Sequence, residues 1–296
     1  MKKGIVSSRM KKGIISSRMK KGIVSSQMKK GIISQPINRK IKYSIKKLFI
    51  KICMLLSIIT IFIGNNTYNV NANTSKEEYR KIVYLTFDDG PSPNNTDAIL
   101  DILTQNNVKA TFCVVGSNAL RNPKTMKRIY NLNMGLMPHC NNHEYKELYS
   151  STEYYINDLE KCIKSINNSI GEERKYSIVR MPGGSDNSVC SSDVLWNIKC
   201  ELKNRNINYL DWSIDSGDAS ASKVATAIIE DNINKQAGNY KVEVVLMHDL
   251  ENKISTTNAL QDIINKYKSL GYEFKTFNEI EKWEIDYLVN NHVINK

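Results

Sequence analysis

From residue 81 onward, short apolar runs alternate with segments whose apolar residues recur at helical spacing. Residues 81–87 (KIVYLTF) and 110–115 (ATFCVV) are nearly continuous apolar runs of strand length, as expected for strands buried on both faces of a parallel sheet. Between them, Ile99, Leu100 and Leu103 predict a helix over 97–105, with Thr96 as its N-cap. Residues 151–170 carry Tyr154, Tyr155, Leu159, Cys162, Ile163 and Ile166 on one helical face, and Gly171 ends that helix. The rhythm continues with a strand at 176–181, a helix at 193–205, a strand at 207–214 and a helix at 223–236. It closes with a strand at 242–247 (VEVVLM), a helix at 256–270 ended by Gly271, and a short strand at 272–275. Repeated strand–helix units predict an α/β protein whose mainly parallel sheet, open or closed into a barrel, carries helices outside. Chemistry is then expected at the carboxyl ends of the strands.

The first 72 residues follow no such rhythm. Residues 1–35 repeat a nine-residue unit (MKKGIVSSR, MKKGIISSR, MKKGIVSSQ, MKKGIISQ) too basic and too poor in apolar residues to bury a face, so a disordered leader is expected over 1–47. Lysines then precede an apolar run of twelve residues, 52–63, shorter than the roughly 20 a bilayer span needs. A basic segment followed by such a run reads as an export signal over 48–72, with Val70-Asn71-Ala72 as the cleavage site. The alternative is an uncleaved membrane anchor through residues 48–64. Either reading predicts a secreted or cell-surface protein.

Charge and cysteine content narrow the body further. The net charge of +12 invites a nucleic-acid reading, but residues 1–72 hold 16 Lys and Arg and no acid. The remaining chain has 26 basic against 30 acidic residues and no basic stripe, which argues against a nucleic-acid partner. Beyond Cys53, five cysteines (Cys113, Cys140, Cys162, Cys190, Cys200) stand at irregular spacing, with no CxxC pair. Neither a disulfide scaffold nor a thiolate zinc site is indicated.

Five motifs stand out, most of them at the ends of predicted strands. Thr86-Phe87-Asp88-Asp89-Gly90-Pro91-Ser92 sets two carboxylates at a buried rim, and adjacent strand residues point opposite ways, so the two acids can take different tasks. His139 and His143 stand at i and i+4, which on a helix would put both imidazoles on one face, suited to a shared divalent metal; Cys140 between them is a small filler. Arg180-Met181-Pro182-Gly183-Gly184 contains a glycine pair through which backbone N–H groups could face a developing oxyanion. Asp211, Asp215 and Asp218 cluster around one strand end. His248 terminates an apolar strand, where a carboxylate could tune it.

With these motifs in this order, the chain resembles the NodB-homology polysaccharide deacetylases, carbohydrate esterase family four, over roughly residues 81–280. The resemblance implies a deformed (β/α) barrel as catalytic domain over 81–285, after a linker at 73–80 and before a C-terminal tail at 286–296. It implies Asp88 as general base, with Arg180 holding it, and Asp89, His139 and His143 as ligands of one divalent metal, zinc first, with cobalt, nickel or manganese as alternatives. Gly183 falls at the oxyanion position, Asp218 at the acid that tunes the catalytic histidine, His248 at the general acid, and Leu246 at the wall for the acetyl methyl. The implied activity is release of acetate from N-acetylglucosamine residues of a cell-wall polysaccharide. An O-acetyl polysaccharide esterase and a catalytically inactive carbohydrate-binding member are the alternatives. Three positions depart from the pattern: Gly183 stands where an aromatic is usual, Ala219 where a tryptophan is usual, and Cys140 where a serine or threonine usually follows the first metal histidine.

Overall fold

The computed structural model describes residues 80–296, together with Ser44, residues 46–52 and Met54, which are helical. The chain divides into two units, Met1–Asn69 and Val70–Lys296. The repeat leader, most of the export segment with its cleavage site, and the linker up to residue 79 lie outside the described residues. No described helix is long and apolar enough to cross a membrane.

The second unit is built around β1 (Lys81–Asp88). Outward from it come β2 (Thr111–Val115) and β3 (Gly135–Cys140) on one side, and β7 (Val242–His248) and β6 (Ile214–Asp215) on the other. A last strand, β8 (Tyr272–Phe274), pairs with the start of β1, and all of these pairings are parallel. A second small sheet joins β4 (Ile178–Val179) to β5 (Asn208–Tyr209). A backbone bond from Arg180 N to Pro138 O at 3.0 Å connects the sheets beside β3, and Ser213 N to Val244 O at 3.0 Å extends the β6–β7 pairing. The seam between β5 and β6 is filled by the chain's end, where Leu210 bridges to Ile294 and Asp211 N donates to Val293 O at 2.8 Å. The result is a parallel barrel deformed at that seam.

Strand periodicity sorts side chains between two cores. Val83, Leu85 and Phe87 pack outward under the helices, while Ile82 and Tyr84 fill the barrel with Met137, Leu210, Val244 and Ile294. Thr86 and Asp88 continue the inward series, so a carboxylate lies at the barrel mouth because its strand points it there. The outer layer includes α1 (Asn95–Gln105), α2 (Gly116–Arg121), α3 (Pro123–Asn131), α4 (Tyr145–Leu148) and α5 (Thr152–Ile170). It continues with α6 (Ser192–Asn204), α7 (Thr226–Gln236), α8 (Ile254–Ser269) and α9 (Lys282–Asn290).

Several expectations change. Thr96 lies inside α1, and Asn94 caps that helix by accepting from Asn95 N at 2.9 Å. Thr96 is drawn into a tertiary hydrogen bond with Asp249 instead. Tyr154 is exposed, because α5 turns Tyr155, Leu159, Cys162 and Ile166 inward; Ser151 caps it and Gly171, at φ 80°, ends it. The strand expected over 207–214 splits into β5 and β6 in different sheets, with Asp211 pulled aside to bond Ser185. Strand β3 (GLMPHC) was not foreseen, since its Gly and Pro mask the apolar run. The boundary drawn at 285/286 falls inside α9, and Val293 and Ile294 are buried, so the chain's end is part of the barrel wall. All five described cysteines are free thiols.

One buried polar network pins α9 to the barrel. Glu284 is fully buried and accepts from Lys275 Nζ at 2.7 and 2.9 Å and from Tyr84 Oη at 2.7 Å. Removing one partner of a buried pair strands the other charge. Lys275→Met is therefore expected to destabilise the fold by about 3–5 kcal/mol, read as a lowered urea midpoint with an unchanged slope. A midpoint within error of the parent would show that the network is dispensable.

Candidate active site

Parallel register sets the first two groups of the site. Across β1 and β7, Asp88 stands opposite His248, and across β1 and β2 it stands opposite Cys113. Asp88 is nearly inaccessible and held end-on by the fully buried Arg180, whose Nη1 donates to its two oxygens at 2.8 and 3.1 Å. Arg180 Nη2 donates to Thr86 Oγ1 at 3.1 Å, and Thr86 donates in turn to Val245 O at 2.6 Å.

Asp89 leaves the strand. Its φ of 79° is left-handed, a conformation that aspartate tolerates better than most residues. The turn is fixed by Asp89 N donating to Cys113 O at 3.2 Å and by Asn118 Nδ2 donating to Asp89 O at 2.7 Å. The reversal brings Asp89 Oδ1 to 3.3 Å from His139 Nε2 and 3.1 Å from His143 Nε2. The two histidines are not helical neighbours, because His139 sits in β3 and His143 in the loop after it. Their rings nevertheless come within 5.3 Å, since Cys140 ends the strand and the loop folds back. Cys140 itself is buried and away from this group, as its filler reading expected.

The three donor atoms lie within 4.8 Å of one another. His139 Nδ1 is 2.8 Å from the Arg180 carbonyl, which can only accept, so Nδ1 carries a proton and Nε2 is the ring nitrogen turned toward Asp89. Two imidazole nitrogens and one carboxylate oxygen suit a divalent metal with open positions.

On the opposite side, Asp218 orients His248. Asp218 Oδ1 lies 2.7 Å from His248 Nδ1, and its Oδ2 accepts from His248 N and Thr256 Oγ1, each at 2.8 Å. Burial disfavours the imidazolium, but the Asp218 hydrogen bond and charge outweigh it, with Asp88 and Asp89 adding, and His248 is raised to about 9. The three acids of the fourth motif thus have separate places. Only Asp218 reaches the histidine; Asp211 holds Ser185 by its N at 2.8 Å and Oγ at 2.6 Å, and Asp215 accepts from Gly217 N at 2.7 Å.

A cavity of about 500 Å³ gathers Asp88, Asp89, His139, His143, Gly183, Leu246 and His248 on its wall, with Arg180 and Asp218 buried behind it. It also takes in Tyr145, Trp212, Leu250, Asn252 and Lys253. Of these, Trp212 was legible within a motif. Tyr145 and Lys253 carried no signal beyond their closeness in sequence to His143 and His248. A larger groove of about 730 Å³ beside α6 contains none of the five motifs.

Asp249, next to His248, does not tune it. Its carboxyl turns away to accept from Thr96 Oγ1 at 2.5 Å, and burial pushes it up to about 7. Its backbone ties the first motif to the fifth, with Asp249 N donating to Asp88 O at 3.2 Å and Ser92 Oγ donating to Asp249 O at 2.7 Å.

The fold and site define a hydrolase whose cavity sets a carboxylate and an imidazole on adjacent strands beside three possible metal ligands. The polysaccharide deacetylase family profile matches residues 75–198. The chain is 30% identical over 218 residues to a peptidoglycan-N-acetylglucosamine deacetylase of Bacillus cereus, covering 72% of this chain and 76% of that one. It is 31% identical over 215 residues to a peptidoglycan-N-acetylglucosamine deacetylase of Listeria monocytogenes, covering 71% of this chain and 41% of the relative. The crystal structure of the catalytic domain of a peptidoglycan N-acetylglucosamine deacetylase from Eubacterium rectale superposes with a TM-score of 0.61 at 33% identity, over 67% of this chain and 88% of that one. The chain belongs to the polysaccharide deacetylases of carbohydrate esterase family four, whose members depend on a divalent metal.

Gly90 is required by packing. A Cβ there would lie 2.1 Å from Asp249 Oδ2, in a carboxyl already fixed by Thr96. Gly90→Ala is expected to destabilise by about 1–3 kcal/mol through overpacking, measured by thermal and urea unfolding. Parental stability in that variant would mean the turn can relax away from Asp249.

Proposed function

We propose that this enzyme removes the acetyl group from N-acetylglucosamine residues of a cell-wall glycan, releasing acetate. The observation that carries the reading is the register that sets Asp88 beside His248, with Asp89, His139 and His143 converging next to them. The relatives, named for peptidoglycan N-acetylglucosamine, support the substrate class. Residues 1–72, with their basic leader and apolar run, support export, and the catalytic domain runs from residue 81 through the buried residues 293 and 294 in this reading.

Asp89, His139 and His143 would hold the metal. Their mixed nitrogen and oxygen donors favour zinc, with cobalt, nickel and manganese as substitutes. When bound, the cation supplies Lewis acidity to the acetyl carbonyl and to the attacking water. Asp88, fixed by Arg180, accepts the proton of that water. The Gly183 N–H donates to the oxyanion as the tetrahedral carbon forms. His248, protonated and oriented by Asp218, gives its proton to the departing amine, and Leu246 packs against the acetyl methyl. Acetate release from peptidoglycan, chitin oligomers and acetylated xylan tests the reading. Preference for xylan would point to an O-acetyl esterase, and no turnover on any of them to an inactive member.

The neighbouring acids should separate in their effects. Asp89→Asn is expected to lower metal affinity and rate together, whereas Asp88→Asn should keep near-normal metal content while turnover falls by about 10²–10⁴. Metal stoichiometry beside steady-state rates decides it; an Asp88→Asn protein that loses its metal while Asp89→Asn retains it would reverse the two roles.

The pH profile follows from His248. A general acid works only while protonated, so kcat/KM should fall as pH rises through about 9, the value to which Asp218 and the nearby carboxylates lift it. Asp218→Asn removes the main stabilising charge and should move that basic limb down by about 1–3 pH units. A basic limb that stays in place would assign it to another group.

A further inference from the structure

We propose that Tyr145, seated against Gly183, and Trp212, seated against Gly184, form the aromatic seat for the sugar ring. This inference rests on the deacetylase reading and names residues that determine its specificity.

The glycine pair is shaped around these rings. Both glycines are left-handed, at φ 75° and 85°, and the turn is held by Gly184 N donating to Met181 O at 2.9 Å and by Asp211 gripping Ser185. A Cβ at Gly183 would stand 3.0 Å from Tyr145 Cε1 and 3.2 Å from its hydroxyl oxygen, and a Cβ at Gly184 would stand 3.0 Å from Trp212 Cη2. Each missing side chain is therefore matched to one aromatic ring, which arrives from a different part of the chain.

Both rings are held in place and only partly covered. Tyr145 stands edge-on to His143, with ring centres 5.0 Å apart at 85°, and Trp212 packs against the Arg180 guanidinium at 5.6 Å. Both line the 500 Å³ cavity, where they are the two large aromatic rings beside its carboxylates and imidazoles and the smaller apolar Leu246 and Leu250. A pyranose with equatorial substituents presents a flat face of C–H groups, and in this cavity rigid rings are the surface suited to receive it. Ordering them on binding takes little conformational entropy, because their neighbours already fix them. The chain thus lacks aromatics at 183 and 219 yet presents two at the same cavity.

The test compares the parent with Tyr145→Ala, Tyr145→Leu, Tyr145→Phe and Trp212→Ala. Each is assayed on a chitin oligomer and on 4-nitrophenyl acetate, which brings an acetyl group without a sugar, with bound zinc counted. Tyr145→Ala and Trp212→Ala are expected to lose about tenfold in kcat/KM on the oligomer, mainly through KM. The loss on the ester should be clearly smaller than on the oligomer, and bound zinc should remain. Tyr145→Leu keeps apolar volume for folding but should lose as much as Tyr145→Ala, while Tyr145→Phe, which keeps the ring, should lose less than Tyr145→Leu. Unchanged oligomer kinetics in Tyr145→Leu, or equal losses on oligomer and ester, would overturn the seat alone. A parent that releases no acetate from the oligomer while hydrolysing the ester would overturn the deacetylase reading and the seat with it.

Discussion

The ion pair between Arg180 and Asp88 organises the barrel mouth. Two charges inside a barrel are tolerable only when hydrogen bonds satisfy them, and here Arg180 reaches both carboxylate oxygens and Thr86. The same residue acts through two further groups. Its carbonyl fixes the proton on His139 Nδ1, and its guanidinium lies against Trp212. Arg180 Nε has no hydrogen-bond partner, so the pair is not optimised for stability. Its effect is positional: one residue at the end of β4 aligns Asp88 on β1, a metal-ligand candidate on β3 and a ring of the cavity wall.

Parallel pairing supplies the second constraint. Adjacent strands stand roughly 4.7–4.9 Å apart, and the register of β1 with β7 puts Asp88 and His248 at the same level. A carboxylate and an imidazole are thus held level with each other by the backbone pairing of two strands. Asp89 is placed differently, by a left-handed turn whose strain is about 1–3 kcal/mol, offset by bonds to Cys113 and Asn118. Two consecutive acids therefore face different partners: one stays in the sheet's register and the other breaks out of it.

Asp218 and Asp249 show how position decides the behaviour of similar groups. Both are buried carboxyls touching the His248 segment. Asp218 faces the imidazole and is held below the usual carboxylate range, since that partner and Thr256 outweigh the burial that opposes its charge. Asp249 faces a threonine hydroxyl and the Gly90 backbone, and burial raises it. One serves the histidine's charge and the other joins two loops.

Much of this was legible in the sequence because it depends on local chemistry. Continuous apolar runs marked β1, β2 and β7, helical spacing marked α5 and α8, and the paired acids, paired histidines and terminal His248 marked the site. What needed the tertiary structure were facts about distant partners. Strand β3 stayed hidden because its Gly and Pro dilute the apolar signal, so the histidine pair looked helical when it spans a strand end and a loop. The choice of Asp218 over Asp211 and Asp215, and of Asn94 over Thr96 as a cap, turned on which groups long-range packing brought within hydrogen-bond reach. Tyr145 carried no motif at all. Composition and spacing report what a residue can do, whereas the contact between Tyr145 and Gly183 exists only because a loop after β3 and a turn after β4 meet at one mouth of the barrel.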